Sequence, residues 1–357
     1  MTESSAPIVS RPELPIRQSI TIKQVAERAG VSLMTVSRVV NDKGLVKPAT
    51  REKVQKAIEE LNYRPNISAR RLAGGKALFI GLVYHNPSPG YLTKILLGSL
   101  SACRRNGHHL LLEDLGERTP DSDPKAHARS LKAAGLDGVI ITPPMSNNMP
   151  LIEAIEAAGL PIVRVAPEDI HTDKPRIAMD DVLAARQMLQ HLVDQGHRRI
   201  GFVKGPHDHP SSRHRFEGFT AGMKENGIPL EECLIKTGDF TYRSGLDAGR
   251  VLLSHAEPPT AIFASNDDMA AGIVAAAHMM GLTVPDDVSV AGFDDTELAT
   301  NIWPELTTVK QPIVEMSRKA VELLIAVIRN DPITINNYRG LMDFELMSRD
   351  SVRKLDT

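Results

Sequence analysis

Residues 21–41, TIKQVAERAGVSLMTVSRVVN, constrain the fold of this chain more than any other stretch. Apolar residues recur at helical spacing from Ile22 to Ala29, and Gly30 follows at a point where a left-handed residue can end a helix. Ser32 is a favoured N-cap residue, and a second helical pattern starts directly after it. The stretch therefore predicts two short helices joined by a tight turn.

The second of these helices has two unlike faces. At 100° per residue, one side is expected to carry Val36, Val39 and Val40. The opposite side is mostly polar and basic, and Leu33 lies at its edge. This side carries Met34, Ser37, Arg38 and Asn41. A helix that packs on one side and presents such groups on the other fits the major groove of B-form DNA. We interpret the pair as a helix-turn-helix.

The exposed side chains of the second helix have chemistry suited to DNA. Arg38 can donate two hydrogen bonds to a guanine, and Leu33 or Met34 can contact thymine methyl groups. Short polar side chains near the helix ends suit phosphate contacts, which position a protein without specifying a sequence. These are Ser32, Thr35 and Asn41.

A third helix is expected from Thr50, its predicted N-cap, to about Leu61. Val54, Ile58 and Leu61 have the i, i+4, i+7 spacing of a buried stripe. Upstream, Thr21 and Gln24 have the spacing of a capping box for the first helix. We therefore predict a small all-α domain over residues 20–64.

The charge of the chain is divided unevenly. Residues 1–76 contain 14 Lys and Arg against 7 Asp and Glu, whereas residues 77–357 contain 28 against 37, for a net charge of −2. A basic head on an acidic body suits a protein in which one part neutralises phosphates. A basic solvated tail would give the same imbalance, but the helical patterns favour the first interpretation.

The remaining composition indicates a globular chain of two or three domains. No apolar run approaches the roughly 18–20 residues of a membrane span, and residues 1–19 lack the apolar block of a signal peptide. We therefore expect a disordered tail over 1–19 and a cytoplasmic location. Cys103 and Cys233 lie far apart without a CxxC partner, which argues against a disulfide framework or a cysteine zinc site.

Residues 62–76, NYRPNISARRLAGGK, separate this head from the rest of the chain. They are basic, contain helix-compatible residues from Ile67 to Leu72, and end in two glycines. By composition alone they could be a flexible linker. We predict that residues 65–76 form a hinge.

Several collinear motifs, taken together, are more specific than any single pattern. They are VSLMTVSRVVN, TREKVQKAIEELNYRPN, ARRLAGGK, GHRRIGFVKGP, FASNDDMAAGI, VSVAGFDDTELA and LTTVKQP. In this order they resemble the lactose/galactose-repressor (LacI/GalR) family of transcriptional regulators, over residues 20–350.

The resemblance implies a role for the hinge. In this family a short helix, here Asn66 to about Leu72, forms when two chains bind DNA side by side, and Leu72 matches the leucine wedged into the minor groove. An apolar wedge unstacks a base step and kinks the duplex. The same resemblance implies DNA contacts at Thr50, Tyr63 and Asn66.

The body alternates short apolar runs with helical patterns, as expected for parallel sheets covered by helices. Predicted strands are 78–84, 109–114, 138–142, 161–165, 199–203, 261–265 and 288–293. Predicted helices are 91–106, 123–134, 150–158, 181–195, 213–226, 242–254 and 266–280. Two like halves predict a two-lobed α/β body with doubly wound sheets. The family resemblance implies that this body is periplasmic-binding-protein-like. It implies crossings between lobes near 177–180, near 309–311 and after about 330.

These crossings give the expected domain bounds. We predict an effector-binding domain over residues 77–357. Its first lobe covers about 77–178 and 310–335, and its second covers about 179–309 and 336–357.

Candidate ligand-binding residues follow the carboxyl ends of predicted strands, where ligands of open α/β sheets bind. Carboxylate, amide and guanidinium groups there can each bridge neighbouring hydroxyls of a sugar, and an aromatic ring can stack on its apolar face. By resemblance, the effector positions are Arg215, Phe240, Asn266, Asp294 and Gln311. The first lobe adds Ser88, Tyr91 and Thr142.

Two observations qualify this assignment. Asp267, Asp268 and Asp295 stand at strand-to-helix junctions, where they could serve only as helix caps. After the run PIVRV, where many sugar-binding relatives carry an acid, this chain has Ala166, with Arg164 nearby. A standard monosaccharide pose is therefore in doubt.

An enzyme remains the weaker interpretation. His207, Asp208, His209 and His214 offer metal-ligand atoms, but without a fourth ligand at a known spacing. The sequence has no GxSxG elbow, and Arg70 stands where a Walker motif needs glycine. We predict no catalytic residue, no metal site and no cofactor.

The sequence thus predicts a homodimeric, ligand-responsive DNA-binding regulator. Its partners would be a palindromic operator and a small effector, a sugar or glycoside, and we expect a repressor of carbohydrate-utilisation genes. Two alternatives stay open. The effector could be a nucleobase or an acid acting as co-repressor, or the chain could be a sugar-binding protein without a DNA role.

Overall fold

A computed structural model describes residues 22–40, 46–61, 77–85, 88–114, 123–338 and 341–355. The chain divides into two units, Met1–Ala77 and Leu78–Thr357. Several sequence predictions lie outside the described residues. They concern the tail 1–19, the cap Thr21, the contacts Asn41, Tyr63 and Asn66, and the hinge with Leu72.

Three helices build the first unit, and they are α1 Ile22–Ala29, α2 Leu33–Val40 and α3 Pro48–Glu60. Their small core is formed by Val25, Val36 and Val54, all fully buried. Gly30 has a φ of +64°, the left-handed conformation that an L side chain rarely adopts, and so ends α1 as predicted. The Ser32 hydroxyl accepts from the amide of Thr35 at 3.2 Å, which confirms that Ser32 caps α2.

The predicted N-cap of α3 is wrong by three residues. The helix begins at Pro48, and its N-cap is Lys47, whose side chain makes no capping hydrogen bond. Thr50 lies inside the first turn, and its amide donates to the Lys47 carbonyl. Proline is favoured at the first helical position because its missing N–H would be unpaired there in any case, and this signal outweighed the threonine.

The second unit alternates strands and helices over its whole length. In chain order its elements are β1 Phe79–Tyr84, α4 Pro89–Arg105, β2 His109–Asp114, α5 Pro124–Ala133, β3 Gly138–Ile141, α6 Met149–Ala157, β4 Ile162–Val165, β5 Arg176–Ile177, α7 Asp181–Asp194, β6 Ile200–Lys204, α8 Pro210–Glu225, β7 Ile235–Thr237, α9 Tyr242–Leu253, β8 Ala261–Ala264, α10 Asp267–Met279, β9 Ser289–Phe293, α11 Leu298–Asn301, β10 Thr307–Lys310, α12 Ile313–Ile328, α13 Pro332–Asn337 and β11 Glu345–Met347.

The first sheet is parallel throughout, in the order β2-β1-β3-β4-β5. Successive side chains along β3 enter different cores, because Ile140 packs with one group of apolar residues and Ile141 with another. Helix α12, from late in the chain, packs beside α4 on one face. A Cβ at Gly98 of α4 would lie 2.3 Å from the Val314 carbonyl oxygen, so this close approach requires glycine.

The second sheet has the order β11-β10-β9-β8-β6-β7, in which only β11 runs antiparallel to its neighbour. It too has apolar cores on both faces, with Phe202 and Phe263 in one and Val203 and Ile262 in the other. Both sheets are therefore doubly wound, and the predicted α/β class is confirmed.

The chain passes between the two sheets near the predicted positions. It leaves the first after β5, and Met179 pairs with Met342 beside that crossing. It returns between β10 and α12, and reaches β11 after α13. Four strands of two to four residues were not predicted, namely β5, β7, β10 and β11.

The described residues contain no helix long and apolar enough to cross a membrane. Cys103 is buried and Cys233 is exposed, and neither forms a disulfide.

Candidate functional site

Helix α2 presents the face that the sequence predicted for DNA. Leu33 is 50% exposed and Met34 is 64% exposed, although both are large apolar residues. Arg38 is exposed on the same helix, while Val36 and Val39 are buried beneath it. Half or more of each of these two apolar side chains is exposed, so both are available to a ligand.

The short polar residues around α2 divide into two groups. The Ser32 and Thr35 hydroxyls lie 2.9 Å apart at the start of the helix, where both remain at the surface. Ser37 is half-buried on α2, and Thr50 is half-buried on α3. Thr35 is half-buried as well, so Ser32 is the most accessible of these four residues.

A cavity lies at the carboxyl ends of strands from both sheets of the second unit. Its walls come from both lobes. They comprise Ser88, Tyr91, Pro143, His209, Ser211, Arg215, Phe240, Asn266 and Asp294. Six of the eight predicted effector residues are in this set, and Thr142 and Gln311 are not.

Arg215 is the central charge of the cavity. Its Nε donates to Asp181 Oδ1 at 2.8 Å, and its Nη1 lies 3.5 Å from Asp294 Oδ1. Nη1 also donates to the Ser265 carbonyl, and the guanidinium carbon lies 3.7 Å from the centroid of the Phe293 ring. These contacts fix the guanidinium plane in a buried position.

Asp294 follows β9 with a φ of +112°, which places its carboxylate in the cavity. Gln311 Nε2 donates to Asp294 Oδ1, so Gln311 lies behind the wall and orients the acid. Burial raises the pKa of Asp294, whereas the Arg215 charge lowers it. The two described contacts of this carboxylate both fall on Oδ1, which leaves Oδ2 as an acceptor for a ligand.

The junction aspartates are not helix caps, so that interpretation is wrong. Asn266 caps α10, because its Oδ1 accepts from the Met269 amide at 3.0 Å. Asp268 instead accepts from Ser88 Oγ, and Asp295 pairs with Arg349 at 2.6 Å.

Asp267 ties the start of α10 to two neighbouring segments. It accepts from the amide and hydroxyl of Thr296 and from the hydroxyl of Thr308. Burial raises its pKa, as does the nearby charge of Asp294. A Cβ at Gly292 would lie 2.5 Å from its Oδ1, so the buried acid requires glycine there.

Phe240 has a φ of +67° and turns its ring into the cavity. The ring occupies the space above Gly205, where a Cβ would lie 2.2 Å from it. Asn266 Nδ2 donates to the Phe240 carbonyl at 3.0 Å and so stabilises the unusual backbone. Asn266 thus lines the cavity while its amide holds the aromatic wall.

Sequence reasoning missed His209, Ser211 and Pro143 as cavity residues. We expected the helix from Arg213, whereas α8 begins at Pro210, directly after His209. Proline at the first helical position was the signal that could have located this start. His209 packs edge-on to Phe240 with ring centroids 5.0 Å apart, and burial lowers its pKa to about 4. Its ring is therefore neutral near pH 7.

The described residues contain no cluster of three His, Cys, Asp or Glu able to hold a metal.

The first-lobe residues differ in what they contribute. Tyr91 lines the cavity, and burial raises the pKa of its phenol. Ser88 lines it and also caps α4. Thr142 donates to the Val83 carbonyl at 3.1 Å and secures β3 instead.

The segment after β4 contributes no acidic side chain to the described lining of the cavity. Arg164 turns away from the cavity and donates to the Ser146 carbonyl at 2.8 Å and to Asn147. Ala166 has a φ of +43° and is buried. Neither residue lines the cavity, and its charged lining residues, Arg215 and Asp294, come from the second lobe.

Direct contacts between the lobes close both sides of the cavity. Ser88 Oγ donates to Asp268 Oδ2 at 2.6 Å on one side, where Lys94 also donates to the Asp295 carbonyl. Glu168 pairs with Arg213 at 2.6 Å on the other. The cavity is therefore held in a closed form by contacts among protein side chains.

Comparison with known proteins gives matches over both units. The family model for bacterial regulatory proteins of the lacI family matches residues 21–66. The model for a periplasmic binding protein-like domain matches residues 189–352.

Individual proteins match over nearly the full length. The chain is 34% identical to the ribose operon repressor of Escherichia coli K12 over 307 residues, which are 85% of this chain and 92% of that protein. It is similar to a crystal structure of the lac repressor dimer bound to operator and the anti-inducer ONPF, with a TM-score of 0.77, 31% identity and coverage of 94% and 100%. It is also similar to a complex of the transcriptional regulator CelR with cellobiose, with a TM-score of 0.68, 30% identity and coverage of 93% and 99%.

Proposed function

The chain belongs to the lacI family of bacterial regulatory proteins and is a DNA-binding transcriptional regulator with an effector-binding domain; from this premise we propose that it represses carbohydrate-utilisation genes under the control of a sugar or glycoside. The cavity supports the proposed control by a sugar or glycoside. It combines an aromatic wall, Phe240, with the buried Arg215 and Asp294 pair. An aromatic face beside charged hydrogen-bonding groups is the chemistry that holds a sugar ring.

In this proposal the effector stacks on Phe240, and one of its hydroxyls donates a hydrogen bond to Asp294 Oδ2. Tyr91, Ser88, His209 and Ser211 supply further polar contacts from the remaining walls. Asn266 and Gln311 act indirectly, because their amides hold Phe240 and Asp294 in place. We assign no ligand contact to Thr142. The complex of CelR with cellobiose supports a sugar in a domain of this kind.

For DNA, we propose that Arg38 reads a guanine and that Leu33 and Met34 contact thymine methyls in the major groove. Ser32, Thr35, Ser37, Asn41 and Thr50 would contact the backbone, together with Tyr63 and Asn66. Leu72 would enter the minor groove from a hinge formed by residues 65–76. The lac repressor dimer bound to operator supports this mode of binding.

We further propose that the protein acts as a homodimer. Large apolar side chains remain exposed on the adjacent helices α9 and α10, at Val251 and Met279, and at Met280 directly after α10. Others are exposed on α4, at Leu97 and Leu100. Such side chains on neighbouring helices suit burial against a second copy, and the lac repressor structure is a dimer.

The proposed mechanism is a population shift. The effector contacts both lobes, so it favours the closed form over the open form by its difference in affinity for the two. Closure then alters how well two hinges and two heads fit one operator. Because operator DNA is the target, we place the protein in the cytoplasm. Its family relatives are repressors, and we assign it no catalytic activity.

A thermal-shift screen of sugars and metabolites, repeated with operator DNA, tests this function. We expect at least one sugar to raise the melting temperature, because a ligand bound only to the folded state stabilises it. The same sugar should change operator affinity. A screen in which nucleobases or amino acids act and no sugar does would contradict the sugar effector while leaving the DNA function in place.

A further inference from the structure

The guanidinium of Arg215 is already neutralised within the protein. Asp181 lies 2.8 Å from its Nε, and Asp294 lies 3.5 Å from Nη1. All three side chains are 5% exposed. Asp181 is not among the residues that line the cavity, so its charge is a permanent neighbour of Arg215 that a ligand cannot replace.

Most other positive features near the cavity are also matched. The amino ends of α4, α8 and α10 lie at its walls, and each contributes partial positive charge. Ser88 caps α4, and Asn266 caps α10, whose first turn also carries Asp267. His209 makes no capping hydrogen bond at α8, which therefore keeps its partial positive charge. Arg213 pairs with Glu168 at the edge. His209 is neutral near pH 7 because burial lowers its pKa to about 4.

The protonation of the acids does not reverse this balance. Burial raises the pKa of Asp294, so this acid can be protonated or ionised near pH 7. If Asp294 is protonated, Arg215 and Asp181 still cancel one another. If it is ionised, the group carries a net negative charge. In neither state do the described side chains of the cavity present an uncompensated cation.

Resting on the proposed sugar effector, we propose that this site selects an uncharged polyhydroxyl ligand and rejects its carboxylate and phosphate analogues. A hydroxyl can donate to Asp294 Oδ2 and accept from Arg215 at once, because it has both functions. A carboxylate or phosphate group only accepts when ionised, and it would lie beside the carboxylates of Asp294 and Asp181. Like charges held close together in a buried site repel strongly.

The test compares matched probes by isothermal titration calorimetry on the full-length protein at pH 7.5. Neutral probes are D-glucose, D-galactose, D-ribose and cellobiose. Acidic probes are D-glucuronate, D-galacturonate, D-glucose 6-phosphate and D-ribose 5-phosphate. For any neutral sugar that binds, we expect its acidic analogue to bind at least about tenfold more weakly.

The variant Asp181→Asn isolates the effect of charge. The amide oxygen can still accept from Arg215 Nε, and no atom lining the cavity changes. We expect the preference for the neutral sugar to shrink by about tenfold in this variant. Asp194→Asn makes the same substitution at the other end of α7 and should leave the preference unchanged. Melting temperatures of both variants establish that they fold.

The outcomes separate the two levels of the proposal. An acidic probe that binds as tightly as its neutral analogue would overturn charge selection while leaving a sugar effector in place. An unchanged preference in a folded Asp181→Asn protein would overturn Asp181 as its cause. If no sugar of either kind binds or alters operator affinity, the sugar effector itself fails, and this inference fails with it.

Discussion

Arg215 Nε donates to Asp181 Oδ1 at 2.8 Å, and the two side chains are each only 5% exposed. Substitution of Arg215 by alanine leaves the Asp181 carboxylate buried without its partner. Breaking a buried pair in this way costs about 3–5 kcal/mol. We predict a loss of this order in the free energy of unfolding, together with loss of the effector response. Urea denaturation and operator titrations with effector measure the two effects.

Arg213→Ala is the matched control for that variant. Arg213 lies on the same helix, but its pair with Glu168 is about half exposed, so its loss should cost at most about 1 kcal/mol. Operator affinity in the absence of effector should be close to normal in both variants. A folded Arg215→Ala protein that still responds fully to effector would count against the assigned cavity.

Arg38→Ala should weaken operator binding by about 1–3 kcal/mol and relax the preference at one base pair. Arg38 is exposed on α2, beside the accessible Leu33 and Met34. Lys53→Ala removes the same charge from an exposed position on α3 and should weaken binding to all DNA sequences alike. Binding measured across every single-base variant of the operator distinguishes the two patterns. A preference that is unchanged at every base pair in Arg38→Ala would argue against α2 as the reading helix.

The contact between Ser88 and Asp268 should stabilise the closed form more than the exposed contact at the opposite edge. Ser88 Oγ donates to a partly buried carboxylate at 2.6 Å, and a hydrogen bond to a charged group contributes roughly 1.5–3 kcal/mol. We predict that Asp268→Ala lowers effector affinity by about tenfold or more and increases the radius of gyration measured by small-angle X-ray scattering.

Glu168→Ala provides the comparison for Asp268→Ala. Its ion pair with Arg213 also joins the lobes, but solvent screens it, so the loss of affinity should be at most a few-fold. Equal effects of the two variants would show that burial does not determine the strength of these contacts.

His197 should make stability depend on pH. Its ring is buried, with Nδ1 2.9 Å from Thr260 Oγ1 and Nε2 3.2 Å from the Arg353 carbonyl, and burial lowers its pKa to about 4. The unfolded chain takes up this proton at about pH 6.5. Below that pH the unfolded state binds more protons, so the free energy of unfolding should fall by up to about 1.4 kcal/mol per pH unit from this residue until about pH 4.

The contribution of His197 is isolated with two variants. His197→Asn should be less stable at pH 8 but have a shallower fall between pH 6.5 and 4, measured by urea denaturation. His278→Asn, at an exposed position on α10, should retain the wild-type slope. A His197→Asn curve parallel to that of the wild type would refute the assignment.

The sequence predicted the architecture well where periodicity is strong. Val36 and Val39 of α2 and the strands β3, β8 and β9 of the body are buried as expected, because a repeating pattern directly specifies which face packs. The start of α3 was less well predicted, because Pro48 and Thr50 are both favoured near a helix start. Local preference could not decide between them.

The cavity was predicted less completely, since its chemistry depends on contacts distant in sequence. Asp268 is bonded to Ser88, 180 residues away, and this partner made it a lobe contact instead of a cap. His209 became a cavity residue because α8 begins at Pro210 and because Phe240 packs against the imidazole. Arg164, expected near the cavity, turns away because its Nε donates a hydrogen bond to the Ser146 carbonyl. None of these partners is indicated by local pattern.

The central claim is that one chain couples a bound sugar to the recognition of a specific DNA sequence. The most direct test selects preferred duplexes from a random library and measures affinity for the recovered sequence by fluorescence anisotropy, with and without the sugar found by thermal shift. We predict a palindromic sequence, affinity that falls steeply with salt because phosphates are neutralised, and an affinity altered by the sugar in the wild type but not in Arg215→Ala. Binding that shows no preference over random DNA, or that no ligand of the cavity alters, would contradict the account.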